Sequence, residues 1–227
     1  MHREHIVKSY DEELGAVKAK ILAMGEHCAE QLVKAMKALQ SRNAKLAEEI
    51  IKQDMQVDAL QGQIESLTIK MLARRQPMAM DLRNVISALK MAASLERIAD
   101  YAAGIARHVI ELNSIDLIKP VDAIAEMIET ALTMLDDVMD AYRRLDGSKV
   151  IPAWRRDELI NQRYADLLSE LHSLMAEKPE NVKAGATLLF VGRCCERIGD
   201  HIKNLAENVH FIINGEMYSG KTAGGAC

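Results

Sequence analysis

A glutamate, an arginine and an aspartate recur with the same spacing in two parts of the chain. The segment Glu96-Arg97-Ile98-Ala99-Asp100 returns as Glu196-Arg197-Ile198-Gly199-Asp200, 100 residues later. Helical residues four apart lie above one another on one face, with Cβ atoms about 5 to 6 Å apart. Two carboxylates held so closely repel, and oxygen ligands of this kind suit Mg²⁺, Mn²⁺ or non-haem iron. The repeat therefore indicates an acidic site in each half of the chain.

The spacing alone is weak evidence, because solvated helix surfaces carry it by chance. The same spacing occurs in other acidic pairs, namely Glu26/Glu30, Asp136/Asp140 and Asp166/Glu170. Recurrence at matched positions makes the prediction specific. At 100° per residue, Glu96 and Asp100 lie about 160° from the centre of the apolar stripe of their helix, and Glu196 and Asp200 lie opposite an equivalent stripe. These four acids are expected to face away from the core.

Further acids lie in the preceding predicted helix of each half. Asp54 and Asp58 are four residues apart, and Asp157 and Asn161 stand in what look like the matching places. If the helices pack side by side, Asp54 and Asp58 complete a site with the Glu96/Asp100 pair; otherwise they are exposed surface acids. Asn161 weakens the second site, because an amide oxygen is a poorer ligand than a carboxylate for a hard cation.

Two shorter motifs are interpreted as coincidental. Residues 215–222 match the pattern GxxxxGK[ST], but a phosphate-binding loop lies between a strand and a helix, and here a long predicted helix precedes it. Glu207 and His210 form a single Glu-x-x-His pair, whereas di-iron bundles place one on each of two helices. The corresponding first-half residues are Arg107 and Ile110. Neither motif predicts a site.

The composition predicts an all-α protein, since helix formers dominate, proline occurs only four times and aromatic residues make up 4%. A net charge of −4 supplies no basic surface, so nucleic acid is not expected as a partner. Uncharged runs are far shorter than the roughly 18 to 20 residues that span a bilayer, and the start is too charged for a signal peptide. We expect a cytoplasmic protein without membrane insertion. The four cysteines show no zinc spacing and are expected to be reduced thiols.

Apolar residues recur with a helical period in six segments, at about 9–39, 44–74, 77–113, 121–145, 152–175 and 179–214. A short polar break with good capping residues, Ser41-Arg42-Asn43, is expected before the second helix. Pro77 is expected to open the third helix and Gly215 to end the sixth. Two sets of three helices predict two tandem three-helix bundles. We place them at residues 1–116 and 117–214, followed by a disordered tail at 215–227.

These motifs in combination resemble the PhoU family of phosphate-uptake regulators. The resemblance covers about residues 5 to 215 and depends on Arg74-Arg75-Gln76-Pro77, Asp81-Leu82-Arg83 and the two acidic motifs. It implies tandem three-helix bundles, a homodimer and a bound divalent or transition metal ion such as Mg²⁺, Mn²⁺, iron or Zn²⁺. The metal ligands that it implies are Glu96, Asp100, Glu196 and Asp200, with Asp54, Asp58 and Asp157 on the second helices. Asn161 stands where the family usually has aspartate.

The resemblance also implies a function. It suggests a negative regulator of the phosphate regulon and of high-affinity phosphate uptake. Such a regulator acts as a cytosolic adaptor between the ATPase subunit of the phosphate ABC transporter and a membrane sensor histidine kinase. The rival hypothesis is a metal-dependent hydrolase or oxidase in which the same acids hold a catalytic ion. An enzyme needs a base or nucleophile beside the metal, and no sequence motif supplies one, so the non-enzymatic adaptor is favoured.

Overall fold

The computed structural model describes residues 2–75, 77–115, 118, 121–218 and 220. Within these ranges there are six α-helices and no strand, which confirms the all-α prediction. The helices are α1 (His2–Ser41), α2 (Ala44–Arg75), α3 (Met80–Leu112), α4 (Val121–Arg144), α5 (Val150–Glu177) and α6 (Asn181–Asn214). A short 3-10 helix, Gly147–Lys149, joins α4 to α5. None of the described helices is both long and apolar enough to cross a membrane.

Two of the predicted helix ends are confirmed by their hydrogen bonds. The Asn43 side-chain oxygen accepts the backbone N–H of Leu46 at 3.1 Å, which satisfies one of the free donors at the start of α2. Gly215 has a φ of 80° and its N–H donates to the carbonyl of Phe211. A residue with a side chain rarely adopts this conformation, so glycine ends α6 there.

The prediction for the start of α3 is wrong by three residues. Pro77 was expected to open the helix, but α3 begins at Met80. The preceding Ala79 has a φ of 49°, which is incompatible with an α-helix, so regular structure starts only after it. Asp81 still lies in the first turn, where its charge favours the positive end of the helix dipole.

The six helices form two tandem sets of three, as predicted, and the two sets pack against each other. Within each set every helix contacts the other two, and between the sets α3 packs along α6 and α1 along α4. Helices α3 and α6 run antiparallel, since Tyr101 lies against His201 while His108 stacks on Phe190. One continuous apolar core joins residues of all six helices. The middle of the α3–α6 contact therefore lies close to both acidic motifs.

Candidate functional site

Burial of one face of α3 and α6 fixes the direction of the repeated acids. Leu95 and Ile98 are fully buried, and so are Cys195 and Ile198 at the matched positions. On the other side, the Glu96 and Asp100 side chains are 21% and 42% exposed, and those of Glu196 and Asp200 are 15% and 38% exposed. The glutamates thus lie deeper than expected. The helical-wheel prediction considered one helix alone, whereas the neighbouring helix also covers part of the polar face.

The structure brings four acids together between α2 and α3, a group that we call the first-half cluster: Asp54, Asp58, Glu96 and Asp100. Burial and, to a smaller extent, the charges of Asp100, Asp58 and Glu96 raise the pKa of Asp54 to about 6, while the charge of Arg107 opposes this rise. Burial also raises the pKa of Glu96, against the charge of Arg97 and with that of Asp100 and Asp58. Arg97 forms ion pairs with Glu96 and Asp100, so Asp54 and Asp58 are the less neutralised members of the cluster.

Asp54 is the least satisfied member of the first-half cluster. Its Oδ1 atom is buried and has no hydrogen-bond partner. In the described part of the chain, neither Asp54 nor Asp58 forms an ion pair with a lysine or an arginine. A buried carboxylate oxygen without a donor is costly, and such atoms often mark a position for an ion or another ligand.

The arginine inside each motif is a structural partner that sequence reasoning did not assign. Arg97 Nη1 lies 3.3 Å from Asp100 Oδ2, and Arg197 Nη1 lies 3.2 Å from Asp200 Oδ2. The spacing of three residues could have predicted both pairs, because side chains three apart lie on the same face of a helix. Because Arg97 and Arg197 are both about half exposed, these pairs orient the aspartates more than they stabilise the fold.

The acids between α5 and α6 form a second-half cluster of Asp157, Glu196 and Asp200, and its surroundings differ. Asp157 is only 2% exposed, and Lys203 Nζ lies 3.5 Å from its Oδ2. Asn161 Nδ2 donates to the same oxygen at 3.1 Å. Burial raises the pKa of Asp157, and the Lys203 ammonium opposes that rise. A side-chain cation therefore already neutralises the deepest acid of the second half.

A glycine in the second motif makes this close approach possible. A Cβ atom on Gly199 would lie 2.6 Å from Asp157 Oδ1, too close for two atoms that are not bonded. The matched first-half residue is Ala99, which is buried. Asp157 thus lies against the backbone of α6, at a position where the matched first-half residue carries a methyl group.

The two clusters differ in how well they suit a hard cation. No three His, Cys, Asp or Glu side chains of the described residues are grouped closely enough to hold an ion as they stand. The first-half cluster has the right chemistry, because it consists of four carboxylates. A buried oxygen without a partner does not distinguish the two clusters, since Asp54 Oδ1, Asp157 Oδ1 and Glu196 Oε2 all lack one. When bound, a divalent ion would neutralise them. The second-half cluster does not fit, because Lys203 and Asn161 present N–H donors where a cation needs oxygen ligands. Metal binding remains a prediction.

The other motifs take part in packing. Trp154 Nε1 donates to the Glu207 carboxylate at 2.9 Å, and the Tyr218 ring meets the Trp154 ring edge-on with centroids 5.1 Å apart. His210 Nδ1 lies 3.0 Å from the carbonyl of Glu216. Ser219 and residues 221–227, including most of the GK[ST] pattern and one cysteine, lie outside the described residues. The other three cysteines are free thiols.

A family model matches the chain twice. The model of the PhoU domain covers residues 21–109 and 124–209, and each match spans most of one three-helix set. The chain belongs to the PhoU family. The structural order of the two matched segments, with an acidic motif on the third helix of each, agrees with a duplicated domain.

Similar proteins from several bacteria support this membership along nearly the whole chain. The phosphate-specific transport system accessory protein PhoU homolog of Caulobacter vibrioides is 38% identical over 94% of this chain and 93% of its own length. The phosphate-specific transport system accessory protein PhoU of Escherichia coli is 30% identical over 95% and 89%.

Solved PhoU structures have the same fold. PhoU from Pseudomonas aeruginosa superposes with a TM-score of 0.89 at 31% identity, covering 91% of this chain and all of that protein. The phosphate transport system regulatory protein PhoU from Streptococcus pneumoniae gives 0.86 at 32% identity, covering 92% and 99%.

Proposed function

We propose that this PhoU-family protein negatively regulates high-affinity phosphate uptake and the phosphate regulon. The observation that carries the proposal is the match of both halves to the PhoU domain, together with relatives named as accessory proteins of the phosphate-specific transport system. The rest of the molecule supports a regulator that acts through contacts. Its helices present charged faces on a rigid core, and the chain carries a net negative charge that suits basic partner surfaces.

The proposed mechanism is that of a cytoplasmic, non-catalytic adaptor, which functions as a homodimer. It binds the ATPase subunit of the phosphate ABC transporter and the sensor histidine kinase of the phosphate two-component system. The kinase is restrained or released according to which complex is assembled. In this proposal, the partly exposed Asp200 belongs to the surface that basic partner residues meet.

We also propose that the first-half cluster binds a divalent or transition metal ion. Asp54, Asp58, Glu96 and Asp100 would hold the ion, and the unpartnered Oδ1 of Asp54 supports this assignment. Neutralisation of four neighbouring carboxylates would fix α2 against α3. The ion therefore has a structural role in this proposal.

A deletion strain tests the regulatory function most directly. Without the gene, alkaline phosphatase should be expressed constitutively in phosphate-rich medium, and a plasmid copy of the wild-type chain should restore repression. A plasmid that encodes the Asp54→Asn, Glu96→Gln double variant tests the cluster in the same strain. Normal repression in the deletion strain would contradict the proposal.

Affinity capture from membranes tests the adaptor mechanism. Tagged protein isolated from cells grown in high and in low phosphate should retain the transporter ATPase and the histidine kinase in proportions that change with phosphate. Unchanged capture in both media would argue against exchange between complexes. Metal-dependent turnover of a test substrate, lost on Glu96→Ala, would instead favour the enzyme hypothesis.

A further inference from the structure

We infer that the second-half cluster carries its own cation, because the ammonium group of Lys203 takes the place that a metal ion takes in the first half. Of the two clusters, only the one between α2 and α3 then binds metal. This inference rests on the proposed metal binding and adds an asymmetry to it: two matched acidic motifs of one chain are neutralised in two different ways.

The contacts of Asp157 show why a cation is needed there. This carboxylate is 2% exposed, so water contributes little to its stabilisation. A buried charge is strongly destabilising unless an opposite charge and hydrogen bonds compensate it. Lys203 supplies the charge at 3.5 Å and Asn161 supplies the hydrogen bond at 3.1 Å, both to the Oδ2 atom. The Oδ2 atom of Asp157 is therefore neutralised and hydrogen-bonded without an added ion, whereas its buried Oδ1 atom has no hydrogen-bond partner.

The ammonium group of Lys203 is held from a second side by an aromatic ring. Its Nζ lies 4.3 Å from the centroid of the Trp154 ring, a distance at which a cation is attracted to the electron-rich face. The indole is itself fixed, since its Nε1 donates to Glu207 and its ring meets that of Tyr218. Lys203 is thus clamped between a carboxylate and an indole and does not extend freely into solvent.

The first half has none of these features at the matched positions. With the register that aligns Asp54 with Asp157 and the two motifs with each other, Ala103 replaces the lysine, Ile51 the tryptophan and Asp58 the asparagine. Ala103 is fully buried and uncharged. Arg107 is the basic residue that lowers the pKa of Asp54, but in the described region it forms no ion pair with it. The first-half cluster therefore has one carboxylate more and lacks the internal lysine.

Calorimetric titration with Mn²⁺, after treatment with EDTA, separates the two clusters. The Asp54→Asn variant, in which the first-half cluster has lost a ligand, serves as the background, and Lys203→Met is added to it. The background should bind Mn²⁺ at least tenfold more weakly than wild type, and Lys203→Met should create a site that Mn²⁺ occupies. Without metal, Lys203→Met should lower the Tm by roughly 4 to 8 °C, and Mn²⁺ should restore part of this loss.

Two control variants distinguish loss of the cation from loss of any lysine. Lys203→Arg keeps the charge, so it should gain no Mn²⁺ site. Lys183→Met removes an exposed lysine from the same helix and should change neither binding nor Tm. If Lys203→Met does not fold, Lys203→Gln gives the same comparison with a polar side chain.

The failure of the metal proposal and the failure of this inference give different results. If wild type binds no Mn²⁺, the first-half site is refuted, whereas a site gained on Lys203→Met still supports the internal cation. An unchanged Tm together with no Mn²⁺ binding by Lys203→Met would overturn the inference. Two Mn²⁺ ions bound per wild-type chain would also overturn it.

Discussion

At the scale of single residues, Asp54 is a carboxylate whose charge is unfavourable in the folded chain. Its pKa rises from an ordinary 3.8 to about 6 through burial and neighbouring acids. Between pH 4 and 6 the folded chain holds this proton more tightly than the unfolded chain does, so its contribution to the free energy of unfolding falls as the pH rises. Above pH 6 the charged Asp54 side chain destabilises the folded chain by about 1 kcal/mol. This value is smaller than the pKa shift alone would give, because the side chain is partly exposed and water screens its charge.

The Asp54→Asn variant tests this electrostatic cost. Without metal at pH 7, it should be more stable than wild type by about 1 kcal/mol, and the two proteins should converge near pH 4. Urea unfolding in EDTA across this pH range measures the difference. Asp122→Asn, at an exposed acid near the start of α4, is the matched control and should not show the same pH dependence. The assignment would be contradicted if Asp54 contributed more to the free energy of unfolding of the wild-type chain at pH 7 than at pH 5.

Metal should reverse the order of the same two proteins. If the first-half cluster binds Mn²⁺, saturating metal stabilises wild type by mass action and leaves Asp54→Asn nearly unchanged. The apparent affinity should weaken below about pH 6, because a protonated Asp54 cannot act as a ligand. Thermal unfolding at pH 7 with and without Mn²⁺ measures the reversal. Equal stabilisation of both proteins would place the metal elsewhere.

At the scale of helices, close contact between α5 and α6 depends on small residues in α6. A Cβ atom on Gly192 would lie 2.6 Å from Leu167 Cδ2 and 3.3 Å from the Tyr164 ring. Gly192 is buried, and so is the leucine that it meets. The second three-helix set therefore has little room for a larger side chain between these two helices.

A pair of glycine substitutions separates packing from helix propensity. Gly192→Ala should lower the free energy of unfolding by about 1 to 3 kcal/mol, since the overlap outweighs the gain in helix propensity. Gly62→Ala, in the middle of α2 with open space around it, should raise the free energy of unfolding by about 0.5 to 1 kcal/mol. Urea unfolding of both variants measures these changes. A stabilised Gly192→Ala would show that α5 and α6 separate easily.

At the scale of the whole molecule, the two three-helix sets share one core. Helix α3 packs along α6, and α1 packs along α4, where Gly25 receives the Met139 side chain. The ring pairs Tyr101/His201 and His108/Phe190 also lie between the sets. Separation would expose this apolar surface to water, so the sets are expected to depend on each other for stability.

Expression of the two halves as separate chains tests this dependence. Residues 1–116 and 117–227 should each be poorly folded alone, and the halves should co-purify when they are expressed together. Circular dichroism and size-exclusion chromatography of each half and of the mixture are the measurements. If each half unfolds alone with a single sharp transition near that of the full chain, the shared core contributes little.

The sequence determined those features that depend on local periodicity. Helical spacing of apolar residues predicted six helices in two sets, and Asn43 and Gly215 marked helix ends because their preferences act within a few residues. The recurrence of Glu96 and Asp100 at Glu196 and Asp200 identified the acidic motifs. The start of α3 was wrongly predicted at Pro77, because the backbone conformation of Ala79 depends on its surroundings and cannot be predicted from the proline alone.

Only the tertiary structure decided what surrounds each acid. One helix considered alone predicted four solvent-facing acids, whereas neighbouring helices cover most of the Glu96 and Glu196 side chains and leave an oxygen of Asp54 without a partner. Nothing in the local sequence pairs Lys203 with Asp157, since they lie 46 residues apart on two different helices. Charge and burial act through space, and distances in space between helices are fixed by the packing of the whole core. The sequence therefore located the matched acids, and the fold distinguished the cluster that lacks an internal lysine from the one that contains it.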